Sequence, residues 1–416
     1  MATSTTNTNF DPALKQIYRD SYTRKLTFRR RPLFGLLPKF EGFGGRNMPI
    51  VLQYGNPQGR SRTFANAQSN RTQVLVEDFV LTRANNYAVS TIDGETIEST
   101  RENDYAFLSA LKLKIDSTMA SLADDLESSF FRSTDGNRGQ IASVTAADPM
   151  VITLSQPEEA TLFEVNMTLV ADNASGGGSL RTAPGTANVD GVDRASGTIT
   201  TDYDNGCTTT DWAAADYLFV QGDESLGTAG LIDWVPDAAP SATLFFGVDR
   251  SSDTRLGGLR QSSANDNLEE AAIDAQSKAA TQGGMPDLFV VHNAQVRRFV
   301  KELGAKKEYV ETHAVGPDGM PANVGYRSLI IQGDEGPIAV VASNKCQANR
   351  GWMLQRDTWS LNTLYAPVRV LADDGLRILR QASADGYEVR MGHRGNIGCN
   401  APIWNVNVTL ATPTRS

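Results

Sequence analysis

The sequence predicts an α+β fold, and three observations predict it. A basic, polar N-terminal segment leads into a stretch patterned as strands. One long amphipathic helix follows, and the remaining two thirds alternates short strand-like pieces with only two further helical stretches. At 416 residues, 40% apolar with 36 glycines, the composition is ordinary for a globular chain, and the length sets a prior of two or three domains. The opening parts are the informative ones. A two-stranded ribbon is marginal in water, and a polar terminus is ordered only when something ties it down. A chain that leads with both is expected to lie on neighbouring copies of itself, as an assembly subunit and not an enzyme.

The arm runs from Met1 to about Arg46. Within it Phe10, Leu14, Ile17 and Tyr18 form one stripe of a short amphipathic helix. Arg29, Arg30 and Arg31 follow, and Pro32 closes that segment. From Asn47 to Ser99 the pattern is that of strands. Pro49 to Leu52 is one; Gly55, Pro57 and Gly59 break it, and residues 60–71 are polar without periodicity. Val74 to Leu81 and Tyr87 to Ile92 resume the β pattern, joined by the turn formers of Arg83-Ala84-Asn85-Asn86. The stretch reads as a long hairpin with a polar tip.

Ser99 and Glu102 fit a capping box that opens a helix over Thr100–Phe131. Leu108, Leu111, Ile115, Met119, Leu122, Leu126 and Phe130 then make a single apolar stripe, along a helix of roughly 48 Å at 1.5 Å per residue. Asp135-Gly136 stops it. The run is short for a coiled coil and strands flank it, so a helix lying across a sheet is expected. Residues 142–224 alternate short apolar pieces (Val151 to Leu154, Phe163 to Val170, Tyr217 to Val220) with turn-rich stretches, and read as a small all-β insertion. Asp266 and Glu269 open a helix carrying Leu268, Ala272, Ala275 and Ala279, stopped by Gly283-Gly284. A strand at Leu288 to Val291 leads through Asn293, as a cap, into a helix with Val296, Phe299, Val300 and Leu303, which Gly304 ends. After a polar loop at 305–326, strands are expected at 328–332, 338–341, 352–354, 368–370 and 376–379. Tyr387-Val389-Met391 and Trp404-Val406-Val408-Leu410 alternate with a period of two.

Composition excludes several classes. No run of about 18 apolar residues exists, so no helix is expected to span a membrane. Met1 to Asp11 is polar, so no secretory signal is expected, and the product should be cytosolic where it is made. Cys207, Cys346 and Cys399 are far apart and odd in number, without a CxxC pair; they read as plain thiols. His292, His313 and His393 show no metal-ligand spacing, and no HExxH, GxSxG or Walker motif is present. Asp190-Gly-Val-Asp193 and Asp202-Tyr-Asp204 lack the ligand order of a calcium loop and read as turn formers. Gly176-Gly177-Gly178 opens no helix and reads as a loop tip, not a phosphate cradle. Neither catalysis nor a cofactor is expected.

Charge is uneven. Residues 1–46 carry nine Lys/Arg against three Asp/Glu, whereas the whole chain stands at −9. Such asymmetry suggests a basic arm meeting acidic protein surface or nucleic acid, while the acidic body argues against a dedicated DNA-binding protein. In the hairpin, Arg60, Arg62, Arg71 and Arg83 are offset by Glu77, Asp78, Asp93 and Glu95. Inter-subunit ion pairing suits them better than nucleic acid, because the planar guanidinium pairs with carboxylates on a neighbour. The candidate contact residues are therefore Arg29, Arg30, Arg31, Arg60, Arg62, Arg71, Glu77, Asp78 and Arg83.

This order of parts resembles the major capsid protein of tailed bacteriophages, the fold first defined in phage Hong Kong 97. The resemblance rests on order and spacing over nearly the whole chain except 142–224. It implies a Hong Kong 97-like capsid fold divided into an N-terminal arm (1–46), an extended hairpin loop (47–99) and the spine helix of a peripheral domain (100–141). An inserted β domain (142–224), further peripheral domain (225–260), an axial domain (261–363) and a return to the peripheral domain (364–416) complete it. Residues 41–111 contain no lysine, which rules out for this loop the lysine crosslinking that some members use. Only about 46 residues precede the loop, so any scaffold is expected to be a separate protein.

The function the resemblance implies is self-assembly, through pentamers and hexamers, into the icosahedral shell of a virion, in the cytoplasm of a bacterial host. Packaged double-stranded DNA would meet its inner surface without sequence specificity; a portal and a decoration protein are further expected partners, and no membrane is involved. The alternatives are another structural virion protein, such as a tail-tube or decoration protein, or the shell protein of an encapsulating compartment. A hydrolase with an unrecognised site is the rival from a different class.

Overall fold

The fold is organised by one long strand. Gly386–Cys399, 14 residues, pairs along one edge with Ala84–Asp93, from Gly386 opposite Asp93 to Gly395 opposite Ala84. Its other edge takes three short partners in turn: Leu379–Arg380, Arg369–Val370 and Trp359–Thr363. Lys39–Phe40 extends this sheet parallel to Trp359–Thr363. These are features of a computed structural model that describes residues 31–93, 104–145, 147, 149–203, 210–302, 329–372, 378–381 and 385–413. The arm stripe at Phe10–Tyr18, Arg29, Arg30, the capping box, the loop at 305–326 and Cys207 lie outside the described residues.

A helix of 27 residues, Asp104–Phe130, about 40 Å long, crosses this sheet. Ile115, Met119 and Leu122 meet Ala88, Val389, Met391 and Val370, as one apolar stripe against one pleated face requires. The pairing of Ala84–Asp93 corrects the reading of 83–86 as a turn: Ala84 to Asn86 are strand, and Tyr87–Ile92 pairs with the long strand, not with Val74–Leu81. The ribbon itself is Met48–Gly55 against Leu75–Leu81.

A second sheet has the order Leu259–Ser263, Val406–Leu410, Arg350–Leu354, Leu288–Val291, Gly336–Ala342, Leu329–Gly333, with parallel and antiparallel pairs mixed. Period-two alternation divides its side chains. Phe289, Val291 and Met353 face the helices Leu268–Ala280 and Asn293–Glu302, while Leu288, Val290, Trp352 and Leu354 enter a larger core on the opposite face. Three boundaries differ from expectation. The first of these helices starts at Leu268 behind Asn267, not at Asp266. The second is capped by His292, whose Nδ1 accepts the Ala294 N–H at 3.1 Å. Trp404 belongs to a 3₁₀ turn, Pro402–Trp404, and the final strand begins at Val406.

Between the long helix and the second sheet the chain closes a six-stranded barrel. Its strands are Gly139–Thr145, Met150–Leu154, Thr168–Asp172, Ala187–Asp193, Thr198–Tyr203 and Tyr217–Val220. Tyr217–Val220 pairs with both Gly139–Thr145 and Thr168–Asp172, which closes the ring and leaves no free edge. Ile141, Ile152, Leu154, Leu169, Val189, Ile199, Leu218 and Phe163 fill it. At its root Arg132 meets Glu159 at 2.7 Å, both buried. Gly230 lies so close that a Cβ there would sit 2.1 Å from the Arg132 carbonyl oxygen.

Glu159→Ala would strand a buried guanidinium, and is expected to cost about 3–5 kcal/mol in urea unfolding. Replacing both partners with apolar residues should recover most of that. Equal losses in the single and double variants would contradict this account of the root.

Candidate assembly surfaces

The ribbon is rooted and then bare. Leu52, Phe79 and Leu81 are fully or nearly fully buried. Phe79 packs at 5.2 Å, with tilted rings, against Trp234, which also contacts Phe245, Phe246 and Trp359. Trp234 Nε1 donates to the Ile397 carbonyl at 3.1 Å, tying this aromatic cluster to the long strand. Toward the tip cover ends. Val51, Val74, Leu75 and Val76 are exposed, and Phe64 is 83% exposed at the head of a short helix, Phe64–Ser69, that buries none of its residues. Single exposed apolar side chains need no explanation, but five on one ribbon do. The tip nevertheless holds a shape: the Gln58 N–H donates to Thr72 Oγ1 at 2.7 Å, and Gly59 packs against the Arg71 backbone.

The expected contact residues separate into two groups. Arg60, Arg62, Arg71 and Asp78 are exposed and Glu77 is half-buried; none of the five side chains has a hydrogen bond or ion pair among the described residues. Arg83 and Arg31 are used within the chain. Arg83 donates to the Phe43 carbonyl at 2.8 Å and lies over its ring. Arg31 pairs with Asp124 at 2.6 Å and donates to the Ala120 carbonyl at 2.9 Å, both on the long helix.

Beside Arg31 is an anchor that sequence reading missed. The Leu33 and Phe34 N–H groups donate to the buried carboxylate of Glu127 at 3.1 and 2.7 Å, and the Ser343 hydroxyl donates to it at 3.3 Å. A side chain of the long helix thus satisfies orphan amides at the start of the short helix Pro32–Leu36. Burial pushes Glu127 up to about 7 against the pull of those amides, and likewise lifts Asp233, which accepts the Thr134 N–H, to about 7. A carboxyl whose folded value is raised contributes stability that is whole below its unfolded value and is lost as pH rises through the folded one. His393, buried with neither ring nitrogen hydrogen-bonded and lowered to about 4 by burial, acts in the opposite sense as pH falls below 6.5.

Glu127→Gln removes one of the two carboxyl contributions. Relative to the parent, the variant should therefore gain about 3 kcal/mol between pH 4.5 and pH 8. Thermal or urea midpoints across that range measure it, and parallel pH profiles would contradict it.

A polar cleft of about 590 Å³ opens where the barrel leaves the long helix, lined by Asn86, Asp125, Ser129, Arg138 and Asp223 among others. Arg138 pairs with Asp125, which also accepts from Asn86 Nδ2 at 2.5 Å. These ion pairs and hydrogen bonds tie the barrel root to the long helix. Among the described residues no group of three or more His, Cys, Asp or Glu could hold a metal ion. Cys346 and Cys399 are free and buried, and burial raises both thiols, Cys399 to about 12, away from the thiolate that reactivity requires. No described helix is long and apolar enough to cross a membrane.

No family model and no curated protein matches the sequence. Solved structures match its fold. The chain is similar to one in the cyanophage A-1(L) capsid asymmetric unit, with a TM-score of 0.58 at 11% identity over 99% of this chain and 100% of that one. More distant are a Mycobacterium phage Adephagia structure (0.47, 10%, 99% and 100%) and the capsid of Myoviridae phage XM1 (0.46, 8%, 96% and 97%). The chain has the fold of a phage capsid protein. The resemblance to major capsid proteins of tailed bacteriophages, drawn from the order of its elements, holds at the level of the fold.

Proposed function

We propose that this chain is the major capsid protein of a tailed bacteriophage and assembles, through pentamers and hexamers, into the icosahedral shell around the genome. The observation that carries the reading is the ribbon, whose tip is apolar and basic and stays exposed among the described residues, on a fold matched end to end by a capsid chain. In this reading the chain before the ribbon is the arm, the ribbon from Met48 to Leu81 is the extended loop, the long helix is the spine, the barrel is an insertion and 261–363 is the axial domain. The ribbon lies over one neighbour and the arm, continuing from the Glu127 anchor, reaches another. Each contact is individually weak, yet repetition over a closed shell makes dissociation rare. A separate scaffold, a portal and a decoration protein are the remaining partners, with DNA on the inner face.

Size-exclusion chromatography with light scattering tests this. Masses five or six times 45.0 kDa, or far larger particles, support it; a 45.0 kDa monomer at every concentration counts against it.

A further inference from the structure

The net negative charge of the molecule is concentrated in its barrel. Residues 139–224, which build the barrel, contain thirteen Asp/Glu against two arginines and no lysine, a net of −11, whereas the whole chain stands at −9. Residues 225–416 are balanced, with twenty acidic and nineteen basic side chains. The barrel's two arginines are already taken. Arg181 grips Asp216 with both arms of its fork, at 2.6 and 2.8 Å. Arg194 pairs with Glu164 at 3.0 Å and donates to the Phe163 carbonyl. On the hairpin Ala187–Asp193/Thr198–Tyr203, Val189 and Ile199 point into the barrel, while Asp190 and Asp202 are exposed. Asp202 stands opposite Asn188, and Asp190 is the extra residue of a bulge between Val189 and Gly191, a device that re-aims a side chain. Neither carboxylate has a hydrogen bond or ion pair among the described residues.

The ribbon tip is the converse. Residues 55–76 carry Arg60, Arg62 and Arg71 and no carboxylate, and all three guanidinium groups are exposed and unpaired among the described residues. One chain thus carries an unpaired cationic tip and an unpaired anionic barrel face.

We infer that the ribbon tip of one subunit docks through Arg60, Arg62 and Arg71 on the outer face of a second subunit's barrel hairpin, at Asp190 and Asp202. The inference rests on the shell reading above and adds to it the patch that receives the tip. Such a contact is heterologous, head to tail, the kind that builds rings and closed shells by repetition. Exposed ion pairs contribute little singly, ~0–1 kcal/mol, and are screened within about 10 Å at 0.1 M salt. The contact therefore acts through repetition and through steering of the tip, and it is salt-sensitive.

Charge exchange in the full-length chain tests the pairing, with sedimentable particles as the readout and an unchanged melting midpoint as the folding control, since all five positions are exposed. Arg60→Glu, Arg62→Glu and Arg71→Glu together should lower particle yield at least tenfold, and Asp190→Lys with Asp202→Lys should do the same. Combining all five should restore yield to within threefold of the parent, and parental yield should fall as salt rises from 50 to 500 mM. Normal assembly of the barrel variant, or failure of the combined variant to recover, overturns the pairing while parental particles leave the shell reading standing. A parental chain that never assembles overturns both.

Discussion

A chain lacking residues 56–72 is expected to fold, stay soluble and form no stable shells. The deletion joins Gly55 to Gln73 just inside the Gly55–Leu75 pair, leaving Gln73-Val74 as a two-residue connection, a length that suits an antiparallel ribbon. It removes Phe64, Arg60, Arg62 and Arg71, and no residue of the short helix it takes out is buried. Little of the subunit's own stability goes with it, about 1 kcal/mol or less on the scale of surface changes. What goes is surface that is exposed and unpaired among the described residues. Circular dichroism and urea unfolding should match the parent, while sedimentation should show no particles. Normal particles from this deletion would show that the tip is not an assembly element.

The largest single-residue loss of stability is expected at Trp234. Its ring is fully buried and touches Phe79 on the ribbon, Phe245 and Phe246 on the following loop, and Trp359 at the start of the short strand beside the long one. Trp234→Ala opens a cavity at that junction and leaves the Ile397 carbonyl without its indole donor. The cost should be about 4 kcal/mol or more, with Trp234→Phe retaining most of the packing and losing ~1–2 kcal/mol. Because Phe79 leans on this ring, the alanine variant should also loosen the ribbon root, seen as faster amide exchange across Met48–Gly55 and Leu75–Leu81. An alanine variant as stable as the parent would mean the cluster is not what roots the ribbon.

The long helix was legible because its signal is local: a 3.6-residue repeat over seven apolar positions suffices, and Asp104–Phe130 lies within the expected span. The strand at Ala84–Asp93 was not, because its partner is the strand at Gly386–Cys399, some three hundred residues away. Read alone, Arg83-Ala84-Asn85-Asn86 has turn composition, and a distant pairing overrode it. The contact residues divide on the same principle. Arg60, Arg62 and Arg71 sit in a polar stretch with no apolar stripe to bury, so their exposure was readable. Arg31 and Arg83 are equally basic, but Asp124 and Phe43 hold them from 93 and 40 residues away. Glu127 looked like any polar position on an amphipathic helix; only the chain folding back at Leu33 and Phe34 makes it an anchor. The opposed charges of barrel and tip stood in the sequence, yet they acquired meaning only once the barrel's two arginines were seen to be spent internally.

Negative-stain electron microscopy of the full-length chain expressed in bacteria tests the central claim most directly. The account predicts hollow closed particles built from five- and six-fold clusters, formed by the chain alone or on addition of a scaffolding protein. Fields of dispersed monomers at high protein concentration, unchanged by a scaffold, would contradict it.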